Sequence, residues 1–134
     1  MNPFDELEQK LRSYPDARYE RTAQTVRYLP PDERGFTVSV FRGGGQFTVA
    51  FAGWHEPFDS EAEALRCFMF GLSERCRLLV LSRGSFDYHW TVQARGNGDW
   101  QDDSETGLLF FPFWLRRRER YLQNHVIRDL TVTS

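Results

Sequence analysis

The densest group of chemically capable side chains in this 134-residue chain is Gly53-Trp54-His55-Glu56-Pro57-Phe58-Asp59. An imidazole and two carboxylates fall within five positions. Such groups do general acid/base work or, with a further ligand, hold a metal. His89 is the candidate for that ligand if its strand lies beside this segment. No His-Glu-x-x-His pair exists, however, and neighbouring residues of an extended loop point apart. The segment therefore reads as a connecting loop, with Trp54 and Phe58 plugging the core while His55 and Glu56 face water. Contact with a ligand is its alternative role.

A second group lies near the end of the chain. Phe110, Phe111, Phe113 and Trp114 place four aromatics in five positions, directly before Arg116, Arg117, Arg118 and Arg120. Either the domain packs these rings inside, or some of them stay outside beside guanidinium groups, a composition enriched at interface hot spots. The arginine run reads as a solvated face or as a contact for an acidic partner or phosphate. The segment is too short and irregular to favour an amphipathic membrane anchor.

Other motifs fall away on their spacing. Gly43-Gly44-Gly45 lacks the Lys-Ser/Thr pair and the following helix of a phosphate loop. There is no Gly-x-Ser-x-Gly elbow around Ser82 or Ser85. The acidic stretch from Asp99 to Thr106 lacks the ligand spacing of a calcium loop and reads as solvated. Cys67 and Cys76, nine positions apart, read as free thiols behaving as small hydrophobes in a reducing compartment. No catalytic residue, metal ligand set or cofactor is assigned.

The elements that must carry these groups follow from periodicity. Asn2 can cap a first helix, Pro3 suits its first position, and Phe4, Leu7, Leu11 and Tyr14 form one stripe before Pro15 stops it. Arg18 to Leu29 is ambiguous, with a strand from about Thr22. Phe36, Val38 and Val40, then Phe47, Val49 and Phe51, alternate around the glycine turn as a hairpin. Ser60 and Glu63 make a capping box for a second helix with Leu65, Phe68, Met69 and Leu72 on its apolar side.

Cys76 to Ser82 reads as a strand buried on both faces, and Phe86 to Arg95 alternates strictly in period two. That alternation puts His89 on a polar face with Asp87, Thr91, Gln93 and Arg95. Gly96-Asn97-Gly98 turns the chain, Leu108 to Phe111 predicts another strand, and Trp114 to Val126 a terminal helix. The result is an α+β domain, residues 1–134, with an antiparallel sheet of five to six strands (two hairpins) and two or three helices packed on it. This order of elements broadly resembles that of the small acidic chaperones of bacterial type III secretion. The resemblance implies a dimeric, cargo-binding domain and carries no residue across.

Composition narrows the function classes. Seventeen basic residues, all but Lys10 arginine, face nineteen acidic ones for a net charge of −2, so the broad positive field of a nucleic-acid binder is missing. No apolar run approaches a membrane span, and the acidic start, Asp5, Glu6 and Glu8, is unlike a secretory signal. The expectation is a non-enzymatic cytoplasmic binding domain, able to self-associate as a homodimer and without nucleic-acid or membrane partners. Its candidate binding residues are Trp54, His55, Glu56, Phe58, His89, Trp114, Arg116, Arg117 and Arg120. A protein partner is expected, and a small apolar ligand in a pocket of Phe and Trp is compatible with the composition. The alternative is a small metal-dependent or general acid/base enzyme using His55, Glu56 and His89.

Overall fold

The computed structural model describes residues 3–96 and 98–127. The expected cap at Asn2 and the turn residue Asn97 lie outside the described residues. The chain is α+β and mostly antiparallel sheet, but its strands form two sheets rather than one.

Helix α1 (Pro3–Arg12) carries Asp5 and Glu6 in its first turn and Lys10 and Arg12 in its last, matching the helix dipole at both ends. Phe4, Leu7 and Leu11 are fully buried, as the stripe requires. Strands β1 (Arg18–Arg21), β2 (Thr25–Leu29), β3 (Val38–Gly43), β4 (Gln46–Phe51) and β5 (Trp54–Phe58) follow as a five-stranded meander in sequence order. The ambiguous Arg18–Leu29 segment is thus two strands. The β3–β4 hairpin closes through Gly44 and Gly45 at φ of 60° and 79°. Positive φ at both central positions is the primed turn that matches strand twist, which explains the glycines there.

The segment Trp54–Phe58, expected as a loop, is the edge strand β5, paired with β4 from Phe47↔Phe58 to Phe51↔Trp54. Pro57 hides it from a propensity reading, yet an edge strand tolerates proline because one side of its backbone needs no donor. Gly53, in the turn before it, has no room for a side chain: a Cβ there would sit 2.3 Å from the Trp90 ring.

Helix α2 (Glu61–Gly71) starts as expected, with the Glu63 N–H donating to Ser60 Oγ. Phe68 and Leu72 are buried, with Leu65 and Met69 packed at the margin of the core. Gly71 lets the helix lie against β4, since a Cβ there would meet the Phe51 ring at 2.5 Å.

The second sheet holds β6 (Cys76–Arg83), β7 (Phe86–Arg95), β8 (Trp100–Gly107) and β9 (Arg117–Leu122) in the order β8-β7-β6-β9. Four expectations fail here. The acidic Asp99–Thr106 segment is not a loop but contains β8, and Leu108–Phe111 is not a strand. The Trp114–Val126 helix does not form, because its middle pairs with β6 from Arg83↔Arg117 to Leu78↔Leu122. β6 is not equally buried on both faces but alternates between buried and half-buried positions. With five strands ahead of α2 and no terminal helix among the described residues, the chaperone-like element order is lost as well.

One core cluster draws on both helices and both sheets, from Phe4 and Leu7 through Val40, Phe51 and Phe68 to Leu78, Val92 and Leu122. Polar links fasten the sheets at two places. The Trp54 indole N–H donates to Ser104 Oγ at 2.6 Å, tying β5 to β8. Asn124, 2% exposed, accepts from the Phe36 N–H and donates to the carbonyls of Phe36 and Gly71. No helix among the described residues is long and apolar enough to cross a membrane.

Candidate interaction surface

Between β8 and β9 the chain crosses one end of the second sheet, from its β8 edge to its β9 edge. The crossing is anchored rather than free. The Leu108 N–H donates to the Tyr88 carbonyl, and the Gly84 N–H to the Arg116 carbonyl. In the middle Phe111 stacks on Tyr88 at 4.1 Å between ring centroids and 12° between planes. Phe111 is the ring that turns inward, and Pro112 follows it half-buried.

The other large apolar residues of the crossing face outward. Leu109 is 90% exposed, Phe110 89%, Phe113 69% and Trp114 73%. Phe113 and Trp114 pack edge-to-face at 5.4 Å, which keeps two of these rings together. Isolated exposed apolar residues are ordinary, but a contiguous cluster marks a contact surface. Trp114 is thus a surface residue, and of the aromatic run only Phe111 is drawn into the fold. Leu109 was not singled out by residue type, and without the strand pairing no signal separates its fate from that of Leu108.

Immediately beyond lies the arginine run. Arg116 precedes β9, and Arg117, Arg118 and Arg120 lie on it, all exposed. Arg120 makes a two-pronged contact with Asp87, both distances 2.8 Å. This hydrogen-bonded pairing holds the Asp87 carboxyl below its usual range and raises Arg120. Arg117 reaches Glu119 at 3.2 Å. Arg116 and Arg118 have no carboxylate partner among the described residues.

The sheet beneath is stiffened across its width. The Arg77 guanidinium lies 4.1 Å from the Tyr121 ring and 4.4 Å from the Trp100 ring. Its Nε–H donates to Gln93 Oε1, and Gln93 Nε2–H donates to Asp102 Oδ1. The row touches all four strands, and Thr91 and Gln93, which the alternation had placed on a polar face, are both buried.

The first sequence group behaves differently. Trp54 is core, Phe58 is half-buried against it, and His55 and Glu56 are exposed. As consecutive residues of β5 their side chains leave opposite faces of the sheet. The His89 ring lies 3.5 Å from Glu105 on β8 and 3.5 Å from Thr91 Oγ1. Among the described residues, no three His, Cys, Asp or Glu side chains group as metal ligands. Burial pushes the Cys67 thiol up to about 12, helped by Glu56 and Asp103, and raises the Cys76 thiol further still. Both therefore stay protonated at neutral pH and are poor nucleophiles.

The described residues include two surface clefts of useful size. One, of about 470 Å³, lies between the turn after α1, the β2–β3 loop and the segment after β9, and is lined by Tyr14, Tyr28, Asp32, Arg34 and His125 among others. The other, of about 630 Å³, separates α1 from α2 between Lys10, Glu61, Leu65 and Met69. Neither has a Phe or Trp in its lining, so neither is the aromatic pocket expected for an apolar ligand. The candidate residues thus fall into three places, with Trp114, Arg116, Arg117 and Arg120 on the segment from the crossing into β9, Trp54, His55, Glu56 and Phe58 on β5, and His89 on β7. No protein family, characterised protein or solved structure matches this chain.

Proposed function

We propose that this chain is a non-enzymatic, cytoplasmic binding domain that engages a protein partner, or a second copy of itself, through residues 108–120. The carrying observation is the outward display of Leu109, Phe110, Phe113 and Trp114 on a crossing held at both ends and in its middle. A fixed apolar cluster beside arginines has the make-up of an interface centre, and its fixed backbone limits the ordering cost of binding. Two free thiols suit a reducing compartment.

Native mass spectrometry on gently purified protein tests this. The expected result is a mass of twice 15.8 kDa or a complex with a second protein, in either case lost when Phe110 and Trp114 are both changed to serine. A complex that survives that double change places the surface elsewhere. A retained metal ion would shift the reading to the alternative enzyme built on His55, Glu56 and His89.

A further inference from the structure

Among the described residues strand β9 is an edge of its sheet, and the hydrogen-bond phase of its ladder says which of its groups have no partner there. The Gly84 N–H bonds to the Arg116 carbonyl, one pair beyond Arg83↔Arg117. In an antiparallel ladder bonded pairs alternate, so Arg118, Arg120 and Leu122 turn their main-chain groups toward β6. Arg117, Glu119 and Tyr121 then turn theirs outward. The next residue in that phase, Gln123, agrees, because its N–H points away from β6 and bonds to the Arg34 carbonyl. Three consecutive outward positions therefore offer N–H and C=O groups to another strand. The exposed apolar crossing ends where this edge begins.

We infer that β9 receives an acidic, extended segment of a partner protein as an added antiparallel strand. This rests on the reading of residues 108–120 as the interaction surface and names the partner's chemistry. The same phase disfavours the obvious rival, two-fold pairing of β9 with its own copy. Outward residues must pair with outward residues, so such a pairing centres on Arg118, Glu119 or Arg120. The Glu119 register sets Glu119 against itself and Arg118 against Arg120, and the Arg120 register sets Arg120 against itself. The Arg118 register sets Arg118 against itself between two Arg117–Glu119 pairs. Like charges directly opposite are unfavourable, so two of the three registers are repulsive and the third is mixed. Glutamate or aspartate opposite Arg116 and Arg118 meets the two cations of this run that have no carboxylate partner among the described residues. Main-chain bonding supplies the affinity of such strand addition and the side chains its selectivity. The arginines thus protect the edge from its own copy and open it to an acidic strand.

The test uses the full chain and three capped synthetic hexapeptides. One is Glu-Val-Glu-Val-Glu-Phe, one has every Glu replaced by Lys, and one is the Glu peptide with alternate amides N-methylated. The expected result by Trp fluorescence and titration calorimetry is that the Glu peptide binds and the other two do not. Changing Arg116 and Arg118 together to glutamate, with an unchanged melting temperature as the folding control, should exchange the preference so that the Lys peptide binds. Equal binding of the N-methylated peptide would reduce the contact to charge alone and overturn strand addition. Failure of all three peptides overturns it too. The surface itself then still stands if the Phe110 and Trp114 serine variant loses a complex in native mass spectra. Cosedimentation with phosphatidylserine–phosphatidylcholine vesicles, without peptide binding, would make the occupant a lipid surface and overturn both readings.

Discussion

Strand β5 and the crossing at residues 108–116 are written in nearly the same alphabet. One reads Trp-His-Glu-Pro-Phe, and the other carries Phe-Pro-Phe-Trp, with arginines next to it. Yet Trp54 is 2% exposed and Trp114 73%. The difference lies in pairing. β5 is in register with β4, which fixes alternate faces and aims Trp54 at Phe51, their centroids 4.6 Å apart. The crossing leaves the β8 ladder after Leu108 and joins β6 only at Arg116, so in between no ladder defines an inner face. Burial of an aromatic here is a property of strand register and not of composition.

Cutting the same side chain from both places is the strongest test of that contrast. Trp54→Ala should cost about 3–5 kcal/mol, since it empties a core site and orphans Ser104. Trp114→Ala should stay within about 0.5 kcal/mol. Denaturant unfolding of the two variants gives both numbers, and equal costs would mean that Trp114 is a second core residue.

Polar residues sharpen the comparison at the next size of effect. Asn124→Ala leaves the Phe36 N–H and the carbonyls of Phe36 and Gly71 unsatisfied in the interior. A loss of about 2–4 kcal/mol is expected by the same unfolding measurement, because buried groups without partners pay their full desolvation. Arg118→Ala on the exposed edge should change stability by less than about 0.5 kcal/mol.

The smallest effect that depends on pH belongs to Arg120 and Asp87. This pair is partly exposed and solvent-screened, so Arg120→Gln should cost under about 1 kcal/mol at pH 7. Asp87 has its carboxyl lowered by Arg120. Its contribution is therefore present above the unfolded carboxylate value of about 3.9 and fades as pH falls through the lower folded value. Wild type and variant should converge in stability from pH 5 to pH 2. A gap that persists at low pH would assign Arg120 a different stabilising contact.

What could be read from sequence follows the same physics. The β3–β4 hairpin, α2 with its Ser60 cap, and the long alternation of β7 all announce themselves, because each carries its own turn or cap and a clean period. The Trp-Gln-Asp-Asp-Ser-Glu-Thr-Gly of β8 and the Arg-Arg-Glu-Arg of β9 do not, since strand propensity in such residues is poor and only a neighbouring strand recruits them. Nor can period alone say that β5 closes one sheet and β6 opens another. Of the candidate site, the aromatic and arginine run was visible as composition. The inward turn of Phe111 was not, because it depends on Tyr88, a residue far away in sequence.

Asn124 also bears on the order in which the protein is made. It bonds to Phe36 across 88 positions and to Gly71 across 53. A chain growing on the ribosome can lay out the β1–β5 meander and start α2 while Asn124 is still unsynthesised. Until it emerges, however, the latch between the β2–β3 loop and the end of α2 stays undone, and β6 waits for β9. The contacts that join Phe36 and Gly71 through Asn124 therefore cannot close until residue 124 has emerged, however early the meander forms.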